Sequence, residues 1–115
     1  MSTPLATNPA TLVMATSETL PVVVDFTPQL LPGETISSAT SSLTDTTNGL
    51  SVPVTLSDAP TVVNVIDGLG TSNGIQQILR GPTELVAQHT YRLSTNATIS
   101  STKIWSAVVI INVPF

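Results

Sequence analysis

Tyr91-Arg92-Leu93-Ser94-Thr95-Asn96-Ala97-Thr98-Ile99 and Trp105-Ser106-Ala107-Val108-Val109-Ile110-Ile111-Asn112-Val113 decide the fold. In both stretches apolar residues return at every second position, the period of a strand with one face in a core and the other turned outward. Ser100-Ser101-Thr102 between them supplies the turn of a hairpin. In the second arm Trp105, Ala107, Val109, Ile111 and Val113 share one parity, which favours the core for Trp105, though its place near the hairpin turn would also suit an interface anchor. Ile104, Val108 and Ile110 occupy the other parity, so this strand is expected to be covered on both sides. Burying three such side chains at about 1.5–3 kcal/mol each matters to a domain stabilised by only about 5–15 kcal/mol.

Toward the amino terminus the same grammar repeats. Pro21 to Phe26 is the first core strand, through Val22, Val23 and Val24, and Pro32-Gly33 then carries the signature of a type II turn. Thr35 to Leu43 alternates weakly as a second strand, and Asn48-Gly49 suits the left-handed conformations of a tight turn. Leu50, Val52, Val54 and Leu56 share a parity, while Pro53 between them points to a sheet edge or a bulge. Val62 to Ile66 and Ile75 to Leu79 are two more short strands, and Arg80-Gly81-Pro82 turns into Thr83 to Gln88. About seven strands without a convincing helix predict an all-β, antiparallel sandwich over residues 21–115. Residues 1–20, rich in Thr, Ala and Ser and broken by Pro4 and Pro9, read as an extended arm in which only Thr11 to Met14 could briefly pair.

At 115 residues the chain is long enough for one core. Only 9% of residues are charged against 41% hydrophobic, where an ordinary soluble domain carries about 25% charge. Such a surface suits being covered by other protein; the plainer reading is a monomer kept in solution by its hydroxyl groups. A net charge of −4, with Arg80, Arg92 and Lys103 the only cations, leaves no basic stripe for a phosphate backbone, so no nucleic-acid partner is expected. The absence of cysteine removes disulfides and thiolate metal sites. No apolar run approaches a membrane span, and Met1 to Pro21 lacks the pattern of a signal peptide, so synthesis in the cytosol and no membrane partner are expected.

Chemistry has few residues to work with. His89 is the only histidine, and no nucleophile elbow or equivalent stands near it, which favours a surface loop role. Asp25, Glu34, Asp45, Asp58, Asp67 and Glu84 are scattered singly and form no calcium-loop run; Asp58 and Asp67 could meet at a metal only through the fold. Asp67-Gly68-Leu69-Gly70-Thr71-Ser72-Asn73-Gly74 looks like a phosphate loop but no amphipathic helix follows it, so it reads as a connection between strands. Asn96-Ala97-Thr98 matches a glycosylation triplet, which a Thr-rich chain produces by chance. No cofactor, metal or catalytic residue is expected.

Asp25-Phe26, Pro32-Gly33-Glu34-Thr35-Ile36-Ser37-Ser38, Thr90-Tyr91-Arg92-Leu93 and Val109-Ile110-Ile111-Asn112-Val113 stand in a familiar order. They resemble segments of the small immunoglobulin-like β-sandwich proteins encoded among the structural genes of tailed bacteriophages. The likeness covers about residues 22 to 113. Two departures stand out: Gln88-His89 replaces the glycine that usually precedes the tyrosine strand, and the aromatic after the Ile-Ser-Ser run is absent. The resemblance implies a virion component without chemistry of its own that binds capsid or neck proteins, often as a symmetric oligomer. The expectation is therefore a head decoration or cement protein, partnered by the major capsid protein or other virion proteins and by copies of itself as a dimer or trimer. Its interface would comprise Leu12, Val13 and Met14 of the arm with Ile104, Val108 and Ile110 of the last strand. The alternatives are a neck or tail protein, or a displayed module that grips glycan or receptor; the latter calls for exposed aromatics, which make up only 3% of the chain.

Overall fold

The structure is a computed structural model and describes residues 10–64, 72–100 and 102–115. Among these, eight strands form in chain order: β1 Ala10–Val13, β2 Thr19–Asp25, β3 Ser38–Asp45, β4 Val52–Val54, β5 Thr61–Val63, β6 Gly74–Arg80, β7 His89–Ser100 and β8 Lys103–Val113. Among the described residues the only α-helical element is the single turn α1, Gly81–Glu84. No helix among the described residues is long and apolar enough to cross a membrane. The strands make two sheets, one ordered β1-β8-β7-β3-β4 and one ordered β2-β6-β5. The fold is an all-β sandwich.

The β7–β8 hairpin is the spine of the larger sheet. Tyr91 lies opposite Ile111, Leu93 opposite Val109 and Ala97 opposite Trp105, and an irregularity between Thr98 and Ser100 closes the turn end. On the inner face Tyr91, Leu93, Val109, Ile111 and Val113 meet Val22, Val24, Ile75 and Leu79 of the smaller sheet, with Phe26, Ile36, Leu43 and Leu85 completing one buried cluster. The alternation in the sequence therefore has its expected physical cause, one side of each strand facing this cluster.

Several expectations are corrected. The stretch 10–20, assigned to the arm, contributes β1 and the first residues of β2: Ala10 to Val13 pair in parallel with Val109 to Asn112. Met14, offered as an interface residue, is buried in the core with 2% of its surface exposed, because its N–H donates to the Asn112 carbonyl (3.0 Å) and continues the pairing inward. Trp105 is 38% exposed rather than packed. It lies at the turn end of β8, where burial of that parity begins only at Ala107. Thr83 to Gln88, into which the Arg80-Gly81-Pro82 turn leads, is the end of α1 and a turn with Gln88 at φ 67°. The strands expected at 35–43, 50–56 and 62–66 form at 38–45, 52–54 and 61–63. Gly33 (φ 84°), Asn48 (φ 58°) and Gly49 (φ 76°) take the left-handed conformations their turns require. Residues 1–9, 65–71 and Ser101 lie outside the described residues, and with them Val65 and Ile66 of the expected 62–66 strand, Asp67 and most of the glycine-rich loop.

Two prolines blunt the sheet edges. Phe26 N–H donates to the Asn73 carbonyl and Gly81 N–H to that of Glu18, which fixes the even-numbered residues of β2 as those bonded to β6. Pro21 is odd-numbered, so its missing N–H falls on the free side of the β2 edge. Pro53 similarly occupies the edge strand β4, opposite Thr44. Both remove a donor from a place where another chain could add itself.

Candidate interaction surface

The outer face of the larger sheet brings together most of the residues singled out in the sequence. Val13 is 68% exposed and Ile104 59%, while Val108 and Ile110 are half-buried on the same face of β8. Thr11 lies beside Ile110 and Val13 beside Asn112. These residues make an apolar stripe along β8 and onto β1. Leu12 points the other way and is packed, half-buried, against the core. Of the six interface candidates the structure thus assembles Val13, Ile104, Val108 and Ile110 on one surface, and turns Leu12 and Met14 inward.

Beside the stripe lies a field of short polar side chains. Ser94, Asn96 and Thr98 of β7 oppose Val108, Ser106 and Ile104, and Ser38, Thr40 and Ser42 of β3 oppose Thr98, Asn96 and Ser94. The Ser106 hydroxyl donates to the Asn96 side-chain carbonyl, and the Asn96 amide donates to the Thr40 hydroxyl at 3.3 Å, so one chain of hydrogen bonds crosses three strands. Thr90 donates similarly to Asn112, at 3.4 Å. Mutually bonded polar groups hold their side chains in place and lower the entropy lost when a partner covers them. Arg92, opposite Ile110 and Thr44, is the single ionisable residue of this face and is exposed without an ion-pair partner among the described residues. In the sequence Arg92 stands out only as one of three cations. The alternation Ser38, Thr40, Ser42, Thr44 was the available signal for the polar field around it.

The other ionisable groups fasten the fold. Asp45 and His89 meet at 2.6 Å (Oδ2 to Nδ1), and Thr47 donates both its hydroxyl and its N–H to the other Asp45 oxygen, at 2.6 and 3.0 Å. Burial alone would raise the Asp45 pKa, but the bonds from Thr47 and His89 outweigh it and hold the carboxyl below its usual range. His89, expected on a surface loop, is half-buried at the start of β7 and pins the β3–β4 turn to it. Arg80 bonds Asp58 through two guanidinium nitrogens, at 2.7 and 3.1 Å, and this bond lowers the Asp58 pKa. Asp58 is thereby engaged by Arg80, and its suggested metal partner Asp67 is outside the described residues. Lys103 donates to both Glu34 oxygens, at 2.8 and 2.9 Å, and that bond holds the Glu34 carboxyl below its usual range. No group of three or more His, Cys, Asp or Glu side chains that could hold a metal occurs among the described residues.

One anchor had no signal in the sequence. Glu84 is buried, and its two oxygens accept from the backbone of Ser57 (2.6 Å) and of Arg80 (2.7 Å). With Gln77, whose amide donates to the Asp58 carbonyl at 2.9 Å, it ties the β4–β5 connection to the smaller sheet. That connection overhangs β3 and forms a cleft of ≈760 Å³ lined by Ser41, Thr44, Pro53, Leu56 and Asp58 among others.

Comparison with known proteins finds no family whose model matches the chain, and no curated protein or solved structure that matches it.

Proposed function

We propose that the chain is a non-enzymatic structural protein of a bacteriophage virion, with an immunoglobulin-like sandwich that decorates the head and cements neighbouring capsid subunits. One observation carries this reading: the outer face of the larger sheet presents Val13, Ile104, Val108 and Ile110 beside a Ser/Thr/Asn field in which Arg92 is the only charge. Depletion of charge around an apolar centre with a polar rim is the pattern of protein interfaces, and arginine is among their enriched residues. The likeness of residues 22–113 to phage structural sandwiches supplies the kind of partner, the major capsid protein. Residues 1–9, which precede β1 at the margin of this face, are proposed to extend the contact.

Co-sedimentation with capsids of the encoding phage tests the reading. The full chain is expected to pellet with capsids in a saturable ratio, and Ile110→Lys and Arg92→Glu to lose most of that binding while retaining the circular-dichroism spectrum. A chain that stays in the supernatant, or face variants that bind like the parent, would defeat it. The cleft beneath the β4–β5 connection favours a second reading, a displayed module that takes a small polar ligand such as a glycan. Its signature would be saturable glycan binding that Asp58→Ala abolishes and Ile110→Lys leaves alone.

A further inference from the structure

The edge of β8 is half covered. On one side β7 pairs with its whole length, but on the other β1 reaches only Val109 to Asn112. Among the described residues nothing pairs with Lys103 to Val108 on that side. Met14 N–H donates to the Asn112 carbonyl, so the even-numbered residues of β8 turn their backbone groups toward this edge. Ile104 and Ser106 therefore present N–H and C=O groups there, and Val108 its N–H, that no described residue uses; the Val108 carbonyl accepts from Ala10 N–H, as the parallel pairing of Ala10 with Val109 requires. Unlike the edges at β2 and β4, this stretch has no proline. It also has no ionisable residue between Ile104 and Val108, and Lys103 at its end is already bound to Glu34. Unguarded, apolar and several residues long, it has the properties of an edge to which a strand adds.

We infer that a second copy of this chain occupies this edge, β8 pairing antiparallel with β8 about a two-fold axis through Ser106. The sequence of the stretch selects its own image. Centring on Ser106 sets Ile104 opposite Val108 of the partner subunit, Ser106 opposite Ser106 of the partner subunit, and Val108 opposite Ile104 of the partner subunit. Each of these is a pair whose backbone groups face one another, and four ladder bonds form: two between Ser106 and the partner subunit's Ser106, and one from each Val108 N–H to the Ile104 carbonyl of the other copy. On the other face the large Trp105 falls opposite the small Ala107 of the partner subunit, a match of volumes that a centre one residue away would lose. No charge is brought against a like charge. The window also ends where β1 begins, so the ladder of one copy stops where its own first strand takes over. This dimer does not depend on the capsid-binding reading, because it uses the edge of the sheet and leaves Val13, Arg92 and Ile110 uncovered.

Sedimentation equilibrium of the full chain, across concentrations from low to high micromolar, tests the inference, with Trp105 fluorescence as a second readout. Trp105 is the sole tryptophan and is part exposed, so its emission is expected to shift to the blue as a monomer–dimer equilibrium moves toward the dimer. Ile104→Lys puts a charge at an exposed position and is expected to weaken the dimer by at least about ten-fold, a change of about 1.4 kcal/mol. Ser106→Pro removes an N–H that β7 does not use and is expected to leave a folded monomer. A parent chain that stays monomeric throughout would overturn the inference. So would a dimer that survives both substitutions, or a monomer whose Ile104, Ser106 and Val108 amides are already protected from hydrogen exchange, since the edge would then be filled by the chain itself.

Discussion

Replacing Gly81 by alanine probes a crowded point of the fold. A Cβ built there would lie 2.6 Å from the carbonyl oxygen of Glu18 and 2.7 Å from those of Ala15 and Thr16. All three are backbone atoms, so no side-chain rotation relieves the contact. The turn that carries them is itself held on several sides: Glu18 N–H donates to Ala15, the Ala15 N–H to the Glu18 carboxylate, and Thr16 N–H to the Phe115 carbonyl. Relief requires moving this turn away from α1, which stretches the bond from Gly81 N–H to the Glu18 carbonyl (2.8 Å) and pulls on Met14 in the core. Overpacking a rigid site costs about 1–3 kcal/mol and loss of the hydrogen bond about 0.5–1.5 kcal/mol. The gain from a stiffer unfolded chain, about 0.4–1 kcal/mol, offsets only part of this. Gly81→Ala is therefore expected to lose about 1–4 kcal/mol in urea denaturation, with faster hydrogen exchange at Met14 and Thr16 than at Leu93. A loss below about 0.5 kcal/mol, or a uniform change in exchange, would refute the account of the crossover from β1 to β2. Gly49→Ala is the control, since nothing lies within 4 Å of its Cβ position and its cost of about 1–2 kcal/mol comes from the left-handed backbone alone.

Further outcomes follow from the buried polar groups. Glu84→Ala strands the N–H groups of Ser57 and Arg80 and is expected to cost about 1–3 kcal/mol, read as a lower urea midpoint. Tyr91→Phe removes the hydroxyl that accepts from Val86 N–H at 2.7 Å, with an expected loss of about 1–3 kcal/mol and an unchanged spectrum. The Asp45, Glu34 and Asp58 carboxyls all have pKa values lowered by folding. Their contribution is present above the ordinary carboxylate range and is lost as pH falls through the lowered values. Melting temperature is accordingly expected to hold steady from neutrality to about pH 5 and to decline below about pH 4; Asp45→Asn should make that decline shallower.

What could be read from the sequence follows the strength of periodicity. The β7–β8 hairpin was legible because Tyr91, Leu93, Val109, Ile111 and Val113 alternate over many residues with one face buried. β3 was displaced by several residues because Ser38 to Ser42 offers only short polar side chains, and its position comes from pairing with β7 rather than from its own pattern. β1 was underestimated since four residues between Pro9 and a Thr/Ser run carry little local preference, and its place is set by the open side of β8. Trp105 shows the limit of parity: the correct face of a strand buries a side chain only where the opposing sheet extends over it. Glu84 had no legible sign, because its two backbone donors, Ser57 and Arg80, are brought to it by tertiary structure.

The two proposed contacts reinforce one another through symmetry. A two-fold axis perpendicular to the sheet at Ser106 keeps the outer faces of both copies on the same side, so their apolar stripes become continuous and both Arg92 side chains project in one direction. Face-to-face association would instead bury the very surface proposed to meet the capsid. With edge pairing, a dimer offers two copies of that surface at a fixed spacing, and the second contact forms at the high local concentration set by the first. Ile104→Lys is then expected to reduce capsid binding beyond the loss of one side chain, because it turns a bivalent ligand into a monovalent one. Its effect on co-sedimentation should be largest at limiting protein and shrink as concentration rises, whereas Arg92→Glu should weaken binding at every concentration. Equal concentration dependence for the two variants would separate the edge from the face and leave the dimer without a part in binding.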